Sequence, residues 1–190
     1  MKKMYLLPIL TFLIVGSAMA ILPSMMTSSS STSDGLQYHA TVCKEVYRAD
    51  GTVEDIGCGS NILVNNGRNM IQDRMTNTQT GNLSVINVGG NLTALTTAST
   101  NITNIFNAAS GLSPAVGAVA NSTNPLTQAG NTSVTHTFTA AADNLYVNQT
   151  GLSNESLLVA GGTLFAGEGF ANVVLQTNDQ LNVTWYWWVS

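Results

Sequence analysis

Asp179-Gln180-Leu181-Asn182-Val183-Thr184-Trp185-Tyr186-Trp187-Trp188-Val189-Ser190 closes the chain. Leu181, Val183, Trp185, Trp187 and Val189 fall on one face of an extended segment. Asn182, Thr184, Tyr186, Trp188 and Ser190 fall on the other. This period of two is the mark of a half-buried β-strand. The same alternation recurs upstream. Val134, His136 and Phe138 alternate with Thr135, Thr137 and Thr139, and Leu145 and Val147 alternate with Asn144, Tyr146 and Asn148. Shorter runs lie at Ile62–Val64, Leu83–Val88, Thr163–Ala166 and Ala171–Gln176. Gly89-Gly90, Gly161-Gly162 and Asn178-Asp179 punctuate them as turns. One stretch, Asn66 to Met75, reads as helix, with Met70, Ile71 and Met75 at helical spacing and Asn66 as its cap. Many short strands and one helix predict an all-β fold, a two-sheet antiparallel sandwich of immunoglobulin-like or jelly-roll-like type.

The first hairpin can be read in register. Asp50-Gly51 is a two-residue turn signal. It pairs Ala49 with Thr52 and Arg48 with Val53, and further out it sets Cys43 opposite Cys58. As a hydrogen-bonded pair, their Cα atoms would stand about 5.5 Å apart. A four-residue turn keeps the pairing but changes that spacing. The alternative is two free, buried thiols. In an exported chain these two cysteines are expected to form a disulfide.

Export is suggested by the first 20 residues. Lys2 and Lys3 precede an apolar run, Met4 to Val15, and Ala18-Met19-Ala20 ends it in the manner of a signal-peptide cleavage site. Two rival readings remain. One is a retained membrane anchor, since the apolar stretch continues to Met26. The other is a pilin-type leader cleaved before the apolar stretch. Cleavage after Ala20 divides the chain into a leader (1–20), a tail (21–35) and a sandwich domain (36–190). The tail holds Ile21, Leu22, Met25 and Met26, followed by seven Ser/Thr residues from Thr27 to Ser33. It reads either as a disordered stalk or as an apolar plug on a tether, able to add a strand to a neighbouring copy. Pro23 argues against a long ladder there.

Composition excludes some functions. The chain is 44% hydrophobic but only 8% charged, against roughly 25% charged in ordinary soluble domains. Its formal charge of −4 becomes −6 once Lys2 and Lys3 leave. Beyond Arg74 there is no Lys or Arg, so a phosphate backbone would find no basic cluster, and nucleic acid is excluded as a partner. The membrane would be met only through the uncleaved leader. Asn-x-Ser/Thr occurs at Asn82, Asn91, Asn101, Asn121, Asn131, Asn148, Asn154 and Asn182. Glycans on several of these would supply the solubility that charges do not, although a chain so rich in Asn, Ser and Thr also makes such triplets by accident.

The sequence carries no recognisable catalytic set. His39 and His136 lie in no known catalytic spacing. Asp143, Glu155, Glu168 and Asp179 each sit beside a Gly or Asn, as solvated turn residues do; the rival readings are a glycosidase dyad or a Ca²⁺ site. The expectation is a protein that is not an enzyme and holds no cofactor or metal. Tyr186 and Trp188, on the outer face of the last strand, are expected to be exposed in a free monomer and to serve as interface anchors. The bland alternative is a loop within Asn91–Asn131 folding over them.

Several segments also resemble a family of small β-sandwich proteins encoded by archaea, viruses and tailed phages. Asn61-Ile62-Leu63-Val64-Asn65-Asn66-Gly67-Arg68-Asn69-Met70-Ile71 resembles its opening motif. His136-Thr137-Phe138-Thr139-Ala140, Gly151-Leu152, Gly162-Thr163-Leu164-Phe165-Ala166 and Asp179 through Trp185 resemble later ones. The likeness runs from Asn61 to the C-terminus, with gaps around Asn91 to Asn131. It departs at Gly111-Leu112-Ser113-Pro114, which lacks the family's arginine. The resemblance implies an assembly protein and, with the leader, a secreted homopolymer: the subunit of an extracellular, pilus-like archaeal filament linked by donor strands. A virion or tail component is the alternative reading. A carbohydrate-binding or hydrolytic module, using the C-terminal aromatics, is a third.

Overall fold

The hairpin at the start of the domain shows how the register is set. A computed structural model describes residues 38–76, 82–90, 93–121, 132–160 and 162–189. In it β1 (Tyr38–Tyr47) pairs antiparallel with β2 (Val53–Ser60). The turn is one residue longer than Asp50-Gly51 predicts. Arg48 N donates to Thr52 O, so Ala49, Asp50 and Gly51 form a three-residue loop, with Gly51 at φ +87°. Glycine takes that left-handed position without the Cβ clash other residues meet. The slip pairs Tyr47 with Val53 and Glu45 with Asp55. A β-bulge then leaves Ile56 unpaired and restores the expected register, so Lys44 faces Gly57 and Cys43 faces Cys58. The cysteines meet because two one-residue shifts cancel.

The remaining strands are β3 (Ile62–Leu63), β4 (Val85–Gly89), β5 (Ala115–Val116), β6 (Ala118–Asn121), β7 (Thr132–Thr139), β8 (Leu145–Ser153), β9 (Leu164–Leu175) and β10 (Gln180–Val189). They form two antiparallel five-stranded sheets, a β-sandwich. The first has the order β2-β1-β10-β7-β6 and the second β3-β9-β8-β4-β5. The terminal segment that opened the sequence reading is therefore the central strand of the first sheet. Leu181, Val183 and Trp185 are fully buried, and Trp187 packs against the same core. Val42, Val46, Val134 and Phe138 join them from the neighbouring strands. Ile86, Val88, Val147, Leu152, Phe165 and Val173 face them from the second sheet. Burying each such side chain stabilises the fold by roughly 1.5–3 kcal/mol.

Two expectations are corrected. The helix α1 spans Asn65–Met75 and is entered through Val64, with no side-chain cap; Asn65 N donates instead to Thr97 O at 2.7 Å. Thr163–Ala166 and Ala171–Gln176 are not two strands but parts of the single strand β9. Pairing with β8 is lost between Val147↔Val173 and Gln149↔Gly169. There one residue of β8, Asn148, stands opposite three of β9. The ladder parts at a bulge, not at a turn.

A second hydrophobic cluster lies on the far side of the second sheet. Leu95 and Ile102, from the 93–107 connection, pack with Leu157 against Val64 and Leu164. The sequence reading offered a loop from this region as a cover for Tyr186 and Trp188; it covers the other sheet. Gly151 and Gly167 explain why. A Cβ on Gly151 would lie 2.8 Å from Leu164 Cδ1 and 3.1 Å from Ile102 Cγ2, and one on Gly167 would lie 2.7 Å from Leu95 Cδ1. Only residues without a side chain let the loop lie this close.

Candidate functional site

Lys44 is on the inward face of β1, between Val42 and Val46. Its side chain is 2% exposed. Nζ donates to Glu168 Oε1 of β9 at 2.5 Å and to Val42 O at 3.3 Å, and it lies 4.9 Å from the centroid of the Phe170 ring. Glu168 comes from the opposite sheet and is equally enclosed. A Cβ on Gly59 would overlap its Oε1, so the glycine of the edge strand makes room for the carboxylate. Burial pushes the Glu168 carboxyl up, and the Lys44 hydrogen bond and charge oppose that shift. Glu168 Oε2 has no hydrogen-bond partner. The pair joins the two sheets. Such a pair gives little net stability over an apolar replacement, but losing one partner strands the other charge.

A second polar junction closes one end of the sandwich. Arg48 Nη1 donates to Asp179 Oδ2 at 2.8 Å and to Val174 O at 2.7 Å, and Nη2 pairs with Glu54. Asp179 also accepts from Ala49 N and Gln176 N, both at 2.9 Å. Burial works against its charge, but these hydrogen bonds and Arg48 hold its carboxyl below the usual range. Glu168 and Asp179, read from sequence as solvated turn residues, are both buried ion-pair partners. Asp143 does behave as a turn residue: it is exposed and accepts from Thr177 N and Oγ1. Among the described residues no group of three or more His, Cys, Asp or Glu could hold a metal ion.

The outer faces of the two sheets differ. On the second sheet, buried amides hold the covering segments. Gln149 Nε2 donates to Thr93 O at 2.5 Å and Gln149 Oε1 accepts from Thr103 N at 3.0 Å. Asn87 bridges Ser153 Oγ, at 2.7 Å, and Leu157 N, at 3.1 Å. Beside the β8–β9 bulge, where Asn148 Nδ2 donates to Asn172 Oδ1 at 2.8 Å, a pocket of about 460 Å³ opens between Ile62, Thr93, Leu95, Asn148, Gln149 and Phe170. The first sheet instead carries rows of hydroxyls. Thr135 bonds to Thr184 and Thr137 to Asn182, each at 3.1 Å.

Cys43 and Cys58 form a disulfide on this hydroxyl-rich face, with Cα atoms 4.0 Å apart. That is the close, non-hydrogen-bonded kind of cross-strand pair, not the wider spacing expected for a hydrogen-bonded one. Tyr186 and Trp188 are half-buried, not exposed; Trp188 stacks on His39, centroids 5.1 Å apart and planes 11° from parallel. His136 points inward and meets Phe138 edge-on at 4.6 Å. Burial lowers its pKa, against a backbone hydrogen bond with Val116.

Of the glycosylation candidates, Asn82 and Asn101 are exposed, and Asn154 and Asn182 are half-buried. Asn148 is only 4% exposed. Asn91, Asn131 and the side chain of Asn121 lie outside the described residues, as do the leader and Ile21, Leu22, Met25 and Met26. No described helix is long and apolar enough to cross a membrane.

Reading the sequence missed the Lys44–Glu168 pair, the Arg48 junction and the Asn87 and Gln149 anchors. One signal for the first was present: Lys44 alternates in phase with Val42 and Val46, so a strand that buries the valines buries the lysine. Comparison of the chain with family models, with curated proteins and with solved structures finds no match.

Proposed function

We propose that this chain is an exported, non-enzymatic structural protein, a glycosylated subunit of an extracellular filament whose copies join by strand donation. The observation that carries the reading is the edge at β6, the last strand of its sheet among the described residues. Val119 stands opposite Val134. Directly opposed residues share a face, and Val134 is fully buried, yet Val119 is 59% exposed. The core thus meets solvent along a short edge strand, the kind of edge to which a further strand adds. Ile21, Leu22, Met25 and Met26 are the apolar residues available to fill it from another copy. The motif likeness to archaeal filament subunits and the leader-like N-terminus support the same reading.

Deleting residues 21–26 tests it. The mature protein should form fibres visible by negative stain. The deletion should abolish them and leave the melting transition of the domain within a few degrees. Val119→Lys, which places a charge on the proposed acceptor edge, should do the same. Fibres that persist in the deletion variant would rule out donation by this segment.

A further inference from the structure

We propose that the pocket at the β8–β9 bulge binds one ring of a neutral pyranoside. The inference stands apart from the filament reading and rests on the chemistry of the lining. Its volume, about 460 Å³, lies within the range of small-molecule sites, roughly 300–1,000 Å³. Ile62, Leu95 and Phe170 supply apolar surface, including one aromatic ring. Asn148 and Gln149 line it with side-chain amides already bonded to Asn172, Thr93 and Thr103, and Thr93 brings a hydroxyl. Among the described lining residues none is charged. Lys44, the charge that touches the Phe170 ring, is neutralised by Glu168. A charged ligand would therefore leave water without a counter-charge in the site. A pyranose matches the lining on both counts: its C–H face suits an aromatic ring, and its hydroxyls suit amides and a hydroxyl.

The walls are built in advance of any ligand. Gln149, 1% exposed, spans Thr93 O and Thr103 N and so fixes the segment that forms one wall. Leu95 is seated over Gly167. Asn148, 4% exposed, is held to Asn172 across the gap in the ladder. Groups positioned this way lose little freedom when a ligand arrives, which favours affinity. The bulge is the local cause of the pocket, because three residues of β9 must bow around one of β8.

The test is a titration of the isotope-labelled, unglycosylated mature chain with methyl β-glucopyranoside, methyl α-mannopyranoside and maltotriose, followed by backbone amide shifts. Saturable shifts are expected at 93–95, 148–149 and 169–171. Glucuronic acid and glucosamine should be weaker by about tenfold, as the neutral lining implies. Ala171→Trp, at an exposed position on the rim, should abolish the shifts without changing the melting temperature. Phe170→Leu, which keeps apolar volume and loses the ring, should weaken binding about tenfold. Glycosylated protein distinguishes the source. Pocket shifts that revert on enzymatic deglycosylation place the ring on the chain's own glycans; shifts unaltered by deglycosylation place it on an external saccharide. Neutral sugars that leave the pocket amides unmoved, that move only amides around Tyr186 and Trp188, or that bind Ala171→Trp equally well would overturn the proposal.

Discussion

The two outer faces of this sandwich come from strands with similar alternation, yet among the described residues one carries a covering segment and the other does not. On the second sheet Gly151 and Gly167 remove side chains where Leu95 and Ile102 approach. Asn87 and Gln149 supply the hydrogen bonds that an irregular covering backbone cannot make with itself. On the first sheet, β-branched threonines fill their own surface and bond to side chains across the strands, Thr135 to Thr184 and Thr137 to Asn182. Thr137 and Thr139 remain exposed there. A cover thus needs gaps to enter and amides to anchor it. A face of hydroxyls provides neither. Between the faces, Lys44 and Glu168 tie sheet to sheet.

Breaking that tie should have the largest effect. Glu168→Ala strands a buried ammonium and should cost about 3–5 kcal/mol in denaturant unfolding. The double variant Lys44→Met/Glu168→Leu should recover most of the loss, since an apolar pair of similar volume removes both charges at once. A double variant as unstable as the single would mean that the pair contributes more than mutual neutralisation.

Next comes the staple on the hydroxyl-rich face. The bridge separates cysteines 15 residues apart in sequence, for which the chain-entropy model gives about 3 kcal/mol. Cys58→Ser should lose about that amount, and intact mass before and after reduction should show the bond in the native protein. On the covered face, Gln149→Ala frees Thr103 N and Thr93 O together and should cost about 2 kcal/mol. Hydrogen exchange should then rise across 93–105 while β1 and β10 keep their protection. Faster exchange throughout would show that the cover and the sandwich unfold as one unit.

The acid limb of stability tests the junction at the end of both sheets. The Asp179 carboxyl is held below its ordinary value, so its contribution is present above the unfolded carboxylate pKa, near 4, and is lost as pH falls through the lower folded value. Asp179→Asn should lower stability at neutral pH and flatten the decline toward acid. An acid limb as steep as in the parent would assign the decline to other carboxylates. The smallest effect belongs to the open hydroxyl face, where Thr137→Ala should change stability by no more than about 0.5 kcal/mol. A larger loss would mean that this face is covered in the assembled protein.

The disulfide shows how far local reading reached. The hairpin reading pairs Cys43 with Cys58, as the structure does, but through a turn that is one residue too short and without the bulge at Ile56 that compensates. The one local signal for the bulge is Gly57, which sits there at φ +89°, and a glycine inside a strand marks a turn, a bulge or a close approach without saying which. Glu168 reads as a turn residue for a related reason. Gly167-Glu168-Gly169 looks like a turn when glycines are taken as punctuation, but Gly167 is there to admit Leu95. A glycine in a strand signals close approach as often as chain reversal.

The sequence by itself determined most of the strands and, where residues alternate, which side is buried; β5 and β6 go unread and β9 reads as two strands. Side-chain direction alternates with a period of two in any extended chain, and the pattern in Leu181-Asn182-Val183-Thr184-Trp185 needs no partner to be read. The proximity of the two cysteines belongs to the same level, because a hairpin is a local structure. Only the tertiary structure decided which outer face the 93–107 segment covers, that β9 is one bulged strand, and that Lys44 meets Glu168 across 124 residues of chain. Such contacts depend on the order in which strands join the two sheets. A periodic pattern carries the face of each strand but not the identity of its neighbours.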